Sequence, residues 1–159
     1  MRRDKVNYYL DIADSVLERS TCLRIRYGAV IVSDDEIVST GYNGAPRGRQ
    51  NCSDLGFCLR NKRGIPSGER YELCRSVHAE ANAIISAGRR EMLGASLYLA
   101  ARDAVTGEVL SNRTSCSMCR RLIINAGIKT VYIREDAENY SVVDVERDWV
   151  ENDDSMNME

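Results

Sequence analysis

The residues of this chain best suited to chemistry are few and closely spaced. Its single histidine stands in the triplet His78-Ala79-Glu80, and Cys116-Ser117-Met118-Cys119 supplies a C-x-x-C pair of thiols. A neutral imidazole and two thiolates can hold a zinc ion and leave its fourth tetrahedral position open, the ligand set of a catalytic centre. Zinc held in this way lowers the pKa of its water from about 15.7 towards about 7, which makes hydroxide available at neutral pH. Glu80, two residues past the histidine, is placed to carry protons between that water and a substrate. The implied chemistry is hydrolytic. The bland alternative is an architectural zinc with Glu80 on a solvated helix face.

Two helices have to present these groups. Residues 77–90 space Ala79, Ala83, Ile84 and Ala87 as a helix, and residues 117–125 form another that closes at Ala126-Gly127. Both motifs then begin helices, where unpaired N–H groups and the positive dipole end favour thiolates. Ser115 can cap the second helix with its hydroxyl. Around them, residues 4–19 read as a helix, with Val6, Tyr9, Leu10, Ala13, Val16 and Leu17 on one face. Residues 27–32 and 36–40 read as a hairpin across the turn Ser33-Asp34-Asp35, and 95–100, 129–133 and 140–145 as further strands. Residues 41–68 hold both prolines and several glycines and read as a long loop. Residues 102–112 suggest a protruding hairpin turning at Thr106-Gly107. This order predicts a three-layer α/β domain over residues 1–150, followed by an acidic, frayed tail over 151–159.

The charge balance narrows the partners. A net charge of −2 and a pI near 5.6 disfavour a polynucleotide backbone. The small basic patches Arg47-Gly48-Arg49 and Arg60-Asn61-Lys62-Arg63 suit one or two phosphates better than a duplex. No apolar run is long enough to cross a bilayer, and the start Met1-Arg2-Arg3-Asp4-Lys5 lacks the pattern of a signal peptide, so a cytoplasmic protein is expected. In that compartment the 6 cysteines read as metal ligands or buried thiols rather than disulfides.

With His78-Ala79-Glu80-Ala81-Asn82-Ala83-Ile84 and Cys116-Ser117-Met118-Cys119 in place, the chain resembles enzymes of the cytidine deaminase fold. More narrowly it resembles deoxycytidylate (dCMP) deaminases. That narrower resemblance rests on Tyr27-Gly28-Ala29-Val30-Ile31-Val32, on Gly41-Tyr42-Asn43-Gly44-Ala45-Pro46-Arg47-Gly48, on Asn51-Cys52 and on Ile124-Asn125-Ala126-Gly127-Ile128. It covers roughly residues 6–133 and implies a three-layer α/β/α fold with a five-stranded mixed sheet. It further implies hydrolysis of dCMP to dUMP and ammonia, a step toward thymidylate. His78, Cys116 and Cys119 are then the zinc ligands, and Glu80 serves the water, N3 of cytosine and the departing amino group in turn.

The resemblance assigns Asn43 to the sugar 3′-hydroxyl or nearby phosphate, against the ordinary reading of a turn asparagine beside Gly44. Arg26 and Arg47 become candidates for the 5′-phosphate, since guanidinium makes bidentate contacts. Backbone N–H groups of Ala79 and Ser117 would orient the base. The resemblance also implies a homo-oligomer, commonly a hexamer, and dCTP and dTTP as effectors, with Mg²⁺ accompanying the nucleotide. Some members carry a second, structural zinc, for which Cys22, Cys52, Cys58 and Cys74 are candidates; separate buried thiols are the alternative.

Two departures stand out. The family's Pro-Cys-Pro-x-Cys is Ser115-Cys116-Ser117-Met118-Cys119 here, and residues 101–114 form an insertion next to the metal motif that would reshape the pocket mouth or a subunit contact. Deamination of another small base or nucleoside, such as cytidine or guanine, remains open, as does a catalytically silent zinc protein.

Overall fold

The pleat of one strand sorts the whole molecule into layers. The computed structural model describes residues 1–156; residues 157–159 of the expected tail lie outside the described residues. Along the chain come α1 (Lys5–Leu17), β1 (Ile25–Ser33), β2 (Glu36–Tyr42), α2 (Cys52–Leu55), α3 (Leu59–Lys62), α4 (Ala79–Ile85), α5 (Arg89–Met92), β3 (Ser96–Asp103), α6 (Ser117–Ala126), β4 (Thr130–Arg134) and β5 (Tyr140–Asp144). In β1, Val30 and Val32 turn to one side and pack with Tyr9, Leu10, Ala13 and Leu17 of α1. Ala29 and Ile31 turn to the other and pack with Ala79 and Ala83 of α4 and Ile123 of α6. Alternation along the strand thus meets helices on both faces, giving the expected α/β/α arrangement.

The sheet runs in the order β2-β1-β3-β4-β5. Among the described residues only β3 and β4 pair in parallel, and α6 makes the crossover that a parallel pair requires. The remaining pairs are antiparallel, so the sheet is mixed. Between β1 and β2, Asp34 and Asp35 take φ of 50° and 63°, the left-handed pair that matches hairpin twist.

Two glycines set how closely the helices approach the sheet. A Cβ on Gly28 would fall on the Ala13 carbonyl of α1, and one on Gly41 would fall on the Ala79 carbonyl and the Ala83 nitrogen of α4. The Ser39 hydroxyl donates to the Ala83 carbonyl at 2.7 Å, pinning α4 to β2. On the opposite face, Asp14 of α1 pairs with Arg102 of β3 and with Arg134 of β4, each at 2.9 Å. Arg134 is 2% exposed and also pairs with Asp11 at 2.6 Å.

Several boundaries differ from the sequence reading. The helix expected over 77–90 ends at Ile85; Gly88 then starts α5, its N–H bonded to the Glu91 carboxylate at 3.1 Å. The expected loop 41–68 contains two helices. Asn51 opens the first, and Asp54 accepts the Asn51 N–H at 3.0 Å, a capping pair that local inspection passes over because the helix is one turn long. The expected hairpin over 102–112 is present, bridged between Arg102 and Val109. Of the expected tail, the described residues 151–156 are exposed and Asp154–Met156 make a 3₁₀ turn; just before it, residues 146–151 form a wide helical turn, with Trp149 under the Arg120 guanidinium at 5.2 Å. Among the described residues no helix is long and apolar enough to cross a membrane.

Candidate active site

The metal-binding residues come together because helix starts are short and stiff. His78 is the N-cap of α4, and Glu80 lies in that helix's first turn. Cys116 is the N-cap of α6, with Cys119 one turn further on, so the C-x-x-C spacing puts both sulfurs on one side. Ser115 therefore precedes the cap instead of forming it. Its hydroxyl, 2% exposed, sits beside Glu80 and meets no partner at hydrogen-bonding geometry among the described residues.

His78 Nδ1 lies 3.4 Å from Cys116 Sγ and 3.4 Å from Cys119 Sγ. In a tetrahedron with zinc–sulfur bonds near 2.3 Å and zinc–nitrogen bonds near 2.05 Å, that edge is about 3.5 Å. The three ligand atoms all fall within 4.8 Å of one another, so the donor set and its spacing fit zinc. The electrostatics agree. Hydrogen bonding to the Cys116 sulfur, then to that of Cys74, pushes the His78 imidazole up to about 10. The Cys119 thiol beside it holds Cys116 well below the usual thiol range. The same contact pushes the Cys119 thiol up, so one sulfur of the pair is anionic and the other keeps a proton that a bound dication would displace.

Glu80 is only 4% exposed, and burial pushes its carboxyl up; its own backbone N–H and neighbouring Ser115 pull the other way. It faces a cavity of about 270 Å³ shared with His78 and Cys116. Tyr27 and Tyr71 wall this cavity, Tyr71 standing edge-on to His78 with ring centres 5.4 Å apart.

The other expected residues divide. Asn43 lines the cavity, but most of its amide is engaged. Its Oδ1 accepts from the Ser20 hydroxyl at 2.5 Å and the Tyr27 N–H at 2.9 Å, and its Nδ2 donates to the Ile25 carbonyl at 2.9 Å. It braces β1 where β1 meets the site. Ala79 and Ser117 are the first helical residues of α4 and α6, where N–H groups lack intrahelical partners.

Arg26 and Arg47 do not reach this cavity. The pleat that turns Ile25 and Tyr27 inward turns Arg26 away, toward Glu18 at 3.9 Å. Arg47 is exposed and borders a separate cavity of about 560 Å³, together with Arg19 and Arg49. The arginines that do line the His78 cavity are Arg24, Arg60 and Arg113. Of these only Arg60 belonged to a basic patch visible in the sequence. Arg24 and Arg113 stand singly in loops.

All six cysteines are free thiols. Cys22, Cys58 and Cys74 also line the cavity. Burial pushes the buried Cys52 thiol up, and Cys22, Cys74 and Cys58 around it add to the effect. Among the described residues, no three of these four sulfurs close to the 4.8 Å that groups His78, Cys116 and Cys119.

Comparison with known proteins agrees with this geometry. Residues 3–135 match the family model for the cytidine and deoxycytidylate deaminase zinc-binding region. The chain is 38% identical over 140 residues to a deoxycytidylate deaminase of Mycobacterium phage D29, covering 84% of this chain and 98% of that protein. It is 34% identical over 125 residues to the Schizosaccharomyces pombe deoxycytidylate deaminase, covering 79% of this chain but only 35% of that longer protein. Among solved structures, the cyanophage S-TIM5 dCMP deaminase in complex with dCMP and dUMP superposes with a TM-score of 0.58 at 24% identity, over 86% of this chain and 85% of that one. A cytidine deaminase from Burkholderia pseudomallei gives 0.54 at 17% identity, over 87% and 91%. At these identities the structural likeness speaks for the fold, while the family model and the phage relative speak for ancestry. This chain belongs to the cytidine and deoxycytidylate deaminase zinc-binding family.

Proposed function

We infer that this protein hydrolyses dCMP to dUMP and ammonia. The observation that carries the reading is a buried carboxyl, Glu80, facing a small cavity beside a His–Cys–Cys group spaced for zinc. Zinc, when held by His78, Cys116 and Cys119, supplies Lewis acidity and an acidified water. Glu80 takes the proton from the attacking water and places it on N3 of cytosine, making C4 electrophilic. The water oxygen bonds to C4, Glu80 then carries the remaining proton of that oxygen to the exocyclic nitrogen, and the bond from C4 to this nitrogen breaks, releasing ammonia and leaving a carbonyl at C4. Its burial suits this work, because a carboxyl with a raised pKa both accepts and returns a proton. The rings of Tyr27 and Tyr71 shield the base from bulk water, and the braced Asn43 holds the β1 wall in place.

The test is steady-state ammonia release from purified protein with dCMP, deoxycytidine, cytidine and guanine. Preference for dCMP supports the reading; preference for a free base or nucleoside replaces it. No turnover of any of them leaves a silent zinc protein.

Finer features of the resemblance belong to the same proposal. The cavity bordered by Arg19, Arg47 and Arg49 has the charge to take a dCTP or dTTP effector with Mg²⁺. Self-association is supported by exposed Ile85 on α4 and Leu122 on α6, and light scattering tests whether it stops at a hexamer. A second zinc on Cys22, Cys52, Cys58 and Cys74 requires these sulfurs to draw together from their present spacing. Two zinc ions per chain by metal analysis support it, and one rejects it. A cytoplasmic location is consistent with free thiols throughout.

A further inference from the structure

We infer that Arg24, Arg60 and Arg113 form the subsite for the substrate's 5′-phosphate, and that Arg113 is delivered to it by the insertion over residues 101–114. The inference rests on the dCMP reading above and names the residues that make this chain prefer a nucleotide over a nucleoside.

Arg60 anchors the case. It is 5% exposed, and its guanidinium donates to the carbonyls of Pro66 at 3.1 Å and Glu69 at 2.6 Å. It lies over the Tyr71 ring at 4.5 Å. No carboxylate pairs with it among the described residues, and its Nε is buried without a partner. A buried cation held only by carbonyls and an aromatic face is left without a neutralising charge, and an anion in the adjoining cavity would supply one. Tyr71 has Arg60 on its face and His78 at its edge, so one ring separates this cation from the metal-ligand imidazole.

The other two arginines converge on the same cavity from different segments. Arg24 and Arg113 are half-buried and pair with no carboxylate among the described residues. They are also mechanically linked: the Ala104 N–H at the turn of the insertion donates to the Arg24 carbonyl at 3.0 Å. Among the described residues, Glu80 is the only acidic one lining the cavity. The cavity is therefore polarised, with a proton carrier beside the metal group and three guanidinium groups elsewhere on its wall. Guanidinium groups bind phosphate oxygens through paired charge-assisted hydrogen bonds.

The test compares dCMP with deoxycytidine in wild type, Arg113→Ala, Arg24→Ala and Arg113→Lys, with zinc content measured for each. Arg113→Ala is expected to lower kcat/KM for dCMP by about 10- to 100-fold, and Arg24→Ala to act in the same direction. Deoxycytidine turnover and zinc content stay unchanged, and Arg113→Lys recovers part of the loss. Inorganic phosphate should inhibit wild type competitively against dCMP and inhibit Arg113→Ala more weakly. Equal losses on dCMP and deoxycytidine, or no loss on dCMP, overturn the subsite while leaving the deaminase reading intact. If wild type turns over no nucleotide, the deaminase reading fails, and calorimetric binding of dUMP and inorganic phosphate decides the subsite separately. Weaker binding by Arg113→Ala supports it, and equal binding overturns it.

Discussion

The two sides of the His78 cavity are built in opposite ways. The metal side is assembled from neighbours: His78 and Glu80 open one helix, Cys116 and Cys119 another, and Gly41 lets the first helix sit directly on the sheet. The arginine side is assembled from strangers. Arg24 precedes β1, Arg60 lies in α3, and Arg113 follows the hairpin that extends β3. On the proposed reading, the reaction is thus written in local spacing, and the substrate preference in how distant segments meet. The metal side tolerates little change, because its distances are set by helix geometry. The arginine side can be altered segment by segment.

That contrast can be broken most severely at Glu80. Glu80→Ala should lower kcat by about 10²- to 10⁴-fold, the range for losing a general acid–base, on dCMP and deoxycytidine alike. Zinc content should stay at the wild-type level, so a parallel loss of zinc would instead make Glu80 a structural support of the metal group. Gly41→Val tests the seat of α4. The added atoms meet backbone, so thermal unfolding should show a loss of roughly 1–3 kcal/mol or more, with turnover falling on both substrates. An unchanged Tm would mean that α4 can move away from β2 without consequence.

Asn43→Ala should sit between the two sides. It strips partners from the Ser20 hydroxyl, the Tyr27 N–H and the Ile25 carbonyl, and destabilises the fold by about 1–3 kcal/mol. At roughly 2–4 °C per kcal/mol for a chain of this size, calorimetry should record a Tm drop of several degrees. A selective rise in KM with no change in Tm would restore a ligand-contacting role. The smallest effect is expected at Arg102, whose pairing with Asp14 at 2.9 Å and bond to the Gly107 carbonyl at 3.0 Å steady the hairpin. Arg102→Met should raise KM for dCMP by no more than about fivefold, as for a partly exposed ion pair, and leave deoxycytidine untouched. A larger effect on deoxycytidine would tie the hairpin to the metal side.

The same contrast explains what could be read from sequence. The layers, the β1–β2 hairpin and the His–Cys–Cys group follow from periodicity and from motif spacing, which survive folding unchanged, while the five-stranded mixed sheet is legible only through the family resemblance. Asn43 was legible as a residue at the site, but its hydrogen bonds to Ser20 and Ile25 depend on how the chain before β1 returns beside β2. Sequence reading selects Arg26 and Arg47 and passes over Arg24 and Arg113, because arginines in loops and patches carry no period that marks which of them reach a site. Only the pleat of β1 and the path of the insertion separate them. The short helices α2 and α3 stayed hidden since one turn is too little for a repeat to show. The break after Ile85 was obscured by Ala87, which fits the helical pattern on either side of it.

Asp14 carries a consequence of its own. It belongs to α1, which lines no part of the His78 cavity, yet its carboxylate grips β3 at the point where the hairpin leaves and β4 beside it. The layer behind the sheet therefore has leverage over the entrance in front of it. A substitution at Asp14 would thus loosen the aim of a loop on the other side of the molecule, although Asp14 itself touches no residue near the reacting atoms.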